Sequence, residues 1–212
     1  MVQGLDRPGG SAVSSAFVLG LDLGQTTDFT ALAVGELVPV KPVQVLIRHL
    51  ERLPKQTPYP VQVAIVGEKV ERVKEMGRTL LVVDQTGVGR AVVDSFRVAR
   101  LGVPMWPVTI ASSAMGHAKR DPTTADWVVP KKDLIGAMVA LAHAGQLQIS
   151  GALPADIQRI AKDELKNFRM KITAAANITF EAWREGEHDD IVLAMALVCW
   201  AAQRWASPGG LV

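Results

Sequence analysis

The chain has 212 residues, with 49% hydrophobic and 21% charged residues. That is the make-up of a globular protein with one full core. A formal charge of +2 and a pI near 8.8 are too mildly basic to argue for nucleic-acid binding on their own. No segment reaches the ~18 apolar residues of a membrane-spanning helix, and the N-terminus lacks the basic start and apolar core of a secretory signal.

Residues 1–16, MVQGLDRPGGSAVSSA, read as a flexible leader or linker remnant because they are rich in Gly, Ser and Pro. FVLGLDL, 17–23, is an apolar β-branched run and predicts a central strand carrying one acid, Asp22. Residues 29–35 and 42–50 predict the next two strands. The short turns at Gly24–Asp28 and Glu36–Lys41 make the three an antiparallel meander. Residues 60–76 have helical apolar spacing, and TLLVVD, 79–84, predicts a second buried strand ending in Asp84. GVGRAVVDSFRVARLG predicts a helix entered through glycines and closed by Gly102, followed by a short strand over 103–110.

Residues 111–126 are polar, contain Gly and Pro, and predict a long loop; loops of that length in a compact domain tend to be functional. Residues 130–145 predict a helix with Pro at its start and Gly at its end. LQIS predicts a short strand, 154–168 an amphipathic helix, and RMKITAAANITFEAW, 169–183, a β-hairpin. A long apolar helix follows EGEHDD and carries Cys199, a lone cysteine that reads as a small buried apolar residue; residues 207–212 read as a frayed tail. The order of elements predicts an α/β fold, with a mixed sheet of three antiparallel strands and then parallel strands, and helices on both faces.

Four acids stand out by position. Asp84 has an ordinary reading as a turn residue, and Asp189 and Asp190 as helix-cap residues. Asp22 does not, because a lone acid inside VLGLDL has no adjacent basic partner. A neighbouring parallel strand would bring Asp84 beside Asp22, and a helix packed on the sheet would bring Asp189 and Asp190 to the same edge. Carboxylates converging in this way repel unless divalent cations lie between them. Hard oxygen donors suit Mg²⁺ or Mn²⁺, and no Cys/His cluster argues for zinc.

GLDLGQTTDFTALAV, LLVVDQTGVGRAVVDSF and HDDIVLAMALVCWAA resemble, in that order, the acidic motifs of the nuclease domain of tailed-phage terminase large subunits. VVPKKDLIGAMVALAHAGQLQI is similar to that family's lysine-bearing helix and strand, and DELKNFRMKITAAANITFEAW to its helix end and hairpin. The resemblance covers roughly residues 17–205, and it implies a ribonuclease H-like domain over 17–206 that cuts concatemeric double-stranded DNA by a two-metal mechanism with little sequence preference. Asp22 would bridge both Mg²⁺ or Mn²⁺ ions, Asp84 would ligate one, and Asp189 or Asp190 would complete the site. His188 would orient a ligand or the attacking water, or be an exposed residue before the helix.

Lys131, Lys132, Lys166, Arg169 and Lys171 are candidates for the DNA backbone. Singly each reads better as part of a solvated face, but together they would offset phosphate charge. The resemblance also implies a packaging motor, with portal and small terminase subunit as partners, in the cytoplasm of the infected bacterial host rather than at a membrane.

One departure is large. The chain has no G-x-x-x-x-G-K-[ST] and is too short for the family's packaging ATPase, so it reads as an isolated nuclease domain or a stand-alone relative. Three other readings compete: a Holliday-junction resolvase-like nuclease, a DNA-binding module whose acids only cap and turn, and an ATP-binding protein of the actin and sugar-kinase superfamily. In the last, Gly24, Thr26 and Thr27 would cradle phosphates.

Overall fold

The structure is a computed structural model. It describes residues 15–24, 28–38, 40, 42–87, 90–111, 117–175 and 189–205, with 90 and 169–175 described in backbone only.

Three strands open the fold: β1 (Ala16–Asp22), β2 (Ala31–Val38) and β3 (Gln44–Arg52). They form the expected antiparallel meander, with an irregularity at Val34/Gly35. Next come helix α1 (Tyr59–Lys74), β4 (Arg78–Asp84), α2 (Arg90–Ala99) and β5 (Met105–Ala111). β4 pairs parallel to β1, and β5 parallel to β4. The chain continues through β6 (Lys119–Arg120), β7 (Trp127–Pro130), α3 (Lys131–His143), β8 (Leu147–Ile149), α4 (Ala155–Ala175) and α5 (Asp190–Trp205). The eight described strands form one mixed sheet in the order β6-β7-β5-β4-β1-β2-β3-β8.

The sheet has helices on both faces, and the alternation of side chains along each strand sends odd and even residues to different cores. Phe17, Leu19 and Leu21 of β1 join Leu81 and Val83 of β4 against α1 and α2. Val18 and the matching Leu80 and Val82 join the opposite core, with α3, α4 and α5. α5 is apolar on every side because it lies between the sheet and the other helices; Ile191, Met195, Leu197 and Trp200 are fully buried. Burial of each such side chain contributes about 1.5–3 kcal/mol.

Two glycines let α5 lie this close. A Cβ on Gly20 would stand 2.2 Å from the Ala194 carbonyl oxygen, and one on Gly35 2.4 Å from Val198 Cγ1. Small residues on β1 and β2 therefore set the height of the helix above the sheet.

The structure corrects three expectations. Residues 169–175 continue α4 instead of opening a hairpin, while 176–183 lie outside the described residues. Ile172 continues the helical spacing of Ile157, Ala161, Leu165 and Phe168, and three alanines follow Thr173. The stretch 111–126 is not wholly loop, since Lys119–Arg120 pairs antiparallel with β7. β7 itself was not anticipated; WVVP is a four-residue strand held between β6 and β5 that runs directly into the helix that follows, and Pro130 serves as its end.

Candidate active site

The two strand acids are neighbours. Asp22 is the residue opposite Asp84 in the parallel β1–β4 pair. Each lies two residues beyond one that packs under α5, Gly20 in one strand and Val82 in the other, so both carboxylates are on the α5 face. The same row continues through Ala31 to Arg52 on β3. Above it stands the start of α5. Asp189 precedes the helix and its carbonyl accepts the Leu193 N–H at 2.9 Å, while Asp190 is the first helical residue. The structure thus sets Asp22 beside Asp84, with Asp189 and Asp190 near enough to act on Asp22 electrostatically.

The electrostatics are those of crowded acids. Burial pushes the Asp22 carboxyl well above its ordinary value, and repulsion from Asp84, then Asp190, then Asp189 adds to it; Lys131 opposes them. Burial also pushes Asp84 up to about 6, against hydrogen bonds from Thr86 and the charge of Lys131. The Thr86 amide donates to Asp84 Oδ1 at 2.8 Å, and the Thr86 hydroxyl in turn accepts the Ile110 N–H at 2.7 Å, which fixes the turn after β4.

Cations hold the helix acids. Lys131 Nζ lies 3.1 Å from Asp189 Oδ2, and Arg52 Nη2 lies 3.4 Å from Asp190 Oδ2. Arg52 Nη2 also donates to Glu164 Oε1, and the Phe29 ring lies 4.5 Å from its guanidinium. Glu164 Oε2 accepts the Ile191 and Val192 amides at 3.0 and 3.2 Å, so an acid from α4 satisfies the first turn of α5. Burial pushes Glu164 up to about 7 despite Arg52 and these amides.

Arg52 and Glu164 were not singled out in the sequence. Glu164 carried a signal: it sits with Ile157, Ala161 and Phe168 on the buried stripe of α4, where a charge requires a partner. Arg52 carried none, since only the β2–β3 register places it in the acid row.

The remaining candidates are dispersed. Lys131 sits among the acids, whereas Lys132 and Lys166 are exposed on α3 and α4. The side chains of Arg169 and Lys171, and all of His188, lie outside the described residues. Among the described residues, no group of three or more His, Cys, Asp or Glu side chains is arranged to hold a metal ion. The donor chemistry nonetheless fits a hard cation: two buried-face carboxylates with raised proton affinity, and two more that answer to Lys131 and Arg52.

The glycine turn after Asp22 is built inward. The Gly24 amide donates to Thr30 Oγ1 at 3.0 Å, and the Thr30 hydroxyl donates to Gln62 Oε1 at 3.0 Å. A Cβ on Gly24 would strike the Phe29 backbone at 2.4 Å. This amide braces the hairpin and is not presented to a phosphate. Residues 25–27, including Thr26 and Thr27, lie outside the described residues, and Asp28 is exposed.

No family model matches the sequence. Over 181 residues, 85% of the chain, it is 29% identical to the terminase large subunit of Thermus phage G20c and to that of Thermus virus P23-45. The chain spans 30% of the length of these relatives. Among solved structures, the human cytomegalovirus terminase nuclease domain has a TM-score of 0.54 at 11% identity, covering 91% of this chain and 86% of that one. A further structure of that domain gives 0.55 at 10% identity, covering 92% and 84%. The chain is thus related in sequence to phage terminase large subunits and carries the ribonuclease H-like fold of a terminase nuclease domain.

Proposed function

We propose that the chain is a divalent-cation-dependent DNA endonuclease, the nuclease domain (residues 17–206) of a phage terminase large subunit that cuts concatemeric DNA during packaging. The observation that carries this reading is the pairing of Asp22 with Asp84 on the face that also receives the acidic start of α5. Likeness to terminase large subunits supports it, as does a related fold studied after a manganese soak.

Asp22 and Asp84 would hold Mg²⁺ or Mn²⁺, and Asp190 or Asp189 would complete the donor set. The chemistry supplied there is activation of a water and stabilisation of the leaving phosphodiester oxygen. The chain's own residues position and screen. Thr86 orients the Asp84 carboxylate. Lys131 brings a positive charge to the edge of the acids, where a DNA phosphate would approach. Double-stranded DNA is the proposed substrate; portal and small terminase subunit are the proposed partners, in the cytoplasm of the infected host. Among the described residues no helix is long and apolar enough to cross a membrane.

The test is plasmid nicking in Mn²⁺ or Mg²⁺. Cutting is expected from the wild type, none in EDTA and none from Asp22→Asn. Stabilisation by Mg-ATP without any cleavage would overturn the reading.

A further inference from the structure

One guanidinium nitrogen in the site faces two acids. Arg52 Nη2 is bonded to Glu164 Oε1 and lies 3.4 Å from Asp190 Oδ2. Arg52 Nε is buried without a hydrogen-bond partner among the described residues. Glu164 and Asp190 are only 6% and 7% exposed, so the arginine's charge acts on both with little screening from water. Glu164 is fixed from its other side by the Ile191 and Val192 amides. It therefore has a set position that does not depend on Arg52, whereas Arg52 depends on Glu164 for its closest bond.

We infer that Glu164 is a positioning residue that keeps Arg52 occupied, so that Asp190 remains able to turn to a divalent cation beside Asp22 and Asp84. Without the Glu164 charge, Arg52 Nη2 has Asp190 as its nearest carboxylate. It would close on that acid and compete with the cation for it. The contact observed at 3.4 Å is the relaxed form of that pair, longer than a charge-assisted hydrogen bond of about 2.7–2.9 Å. The same arrangement couples the two jobs of Glu164, because its second oxygen holds the helix turn that carries Asp190.

This inference rests on the nuclease reading for the identity of the cation, but its test separates the two. The full chain is titrated with Mn²⁺ and followed by thermal stabilisation, in four forms: wild type, Glu164→Gln, Arg52→Gln and the double variant. Glutamine retains an oxygen for the Ile191 and Val192 amides, and helix content by circular dichroism without metal checks that α5 persists. Glu164→Gln is expected to raise the Mn²⁺ midpoint about tenfold when Arg52 is present. With Arg52→Gln already in place, the same substitution is expected to change it less than about threefold, because the competitor is gone. Nicking by Glu164→Gln should recover at high Mn²⁺.

An equal shift in both backgrounds would mean that Glu164 acts only through its own charge or through stability, and would overturn the inference. So would an unchanged midpoint in Glu164→Gln. Wild type that neither binds Mn²⁺ nor nicks DNA would overturn the nuclease reading itself, and this inference with it.

Discussion

Asp22 and Asp84 stand opposite one another in adjacent parallel strands, on the face covered by α5. Neighbouring strands lie about 4.8 Å apart, so two carboxylates in this relation repel strongly unless a proton or a cation lies between them. Replacing either by asparagine keeps the volume and removes the conflict. Asp22→Asn or Asp84→Asn should lower Mn²⁺-dependent nicking by about a thousandfold, as expected for loss of a metal-ligating charge worth several kcal/mol of barrier. The metal-free melting temperature should stay level or rise. A normal nicking rate in either variant would refute the assignment of these acids.

The same crowding predicts an unusual pH dependence. Asp84 is raised from 3.8 to about 6, Asp22 is raised further than its ordinary range, and Glu164 is raised to about 7. An acid whose folded pKa exceeds its unfolded one binds more protons folded than unfolded. Its stabilising contribution is full below the unfolded value and is lost as pH rises through the folded value. In EDTA the domain should therefore lose stability between about pH 4 and 7, by something on the order of 3 kcal/mol from Asp84 alone. Mn²⁺ at pH 8 should return it. Urea melts at pH 5 and pH 8, with EDTA and with Mn²⁺, measure this; stability that climbs with pH in EDTA would contradict it.

Gly20 sets the height of α5, and hence of Asp189 and Asp190. A methyl group there would meet the Ala194 carbonyl oxygen at 2.2 Å, a backbone atom with nowhere to go. Gly20→Ala should destabilise the fold by several kcal/mol and abolish nicking in whatever folded fraction remains, because α5 must lift. Gly136 provides the contrast. It lies in α3 with nothing within 4 Å of its would-be Cβ, so Gly136→Ala should stabilise by about 0.5–1 kcal/mol without changing nicking. Thermal melts of the pair decide whether space, rather than helix or strand propensity, governs these positions.

Cys199 is fully buried in α5, and burial pushes its thiol up to about 12. Thiolate is the reactive form, so alkylation of the native protein at pH 8 should be slower than in urea by several orders of magnitude. Rapid labelling under native conditions would show that α5 opens readily.

Much of the framework was legible along the chain. The strand-like runs at 17–23, 29–35 and 42–50 predicted three strands whose short turns left antiparallel pairing as the natural outcome. The failures occurred where local signals conflicted. Met170-Lys171-Ile172 alternates like a strand yet also fits the helical spacing of α4, and continuation of an existing helix won. WVVP at 127–130 was too short to register as a strand without β5 beside it.

By itself, the sequence determined which stretches become strands and helices, and that Asp22 would lie in an apolar strand with no basic residue beside it. Those properties follow from apolar runs and helical spacing, which depend only on neighbours along the chain. Only the tertiary structure decided that Asp22 meets Asp84 residue for residue, that α5 drops onto Gly20, and that Arg52 and Glu164 join the acids from β3 and α4. These depend on strand register and on the shape of surfaces far apart in sequence. The place of Glu164 on an otherwise apolar stripe signals that it needs a partner, but only packing reveals that the partner is Arg52.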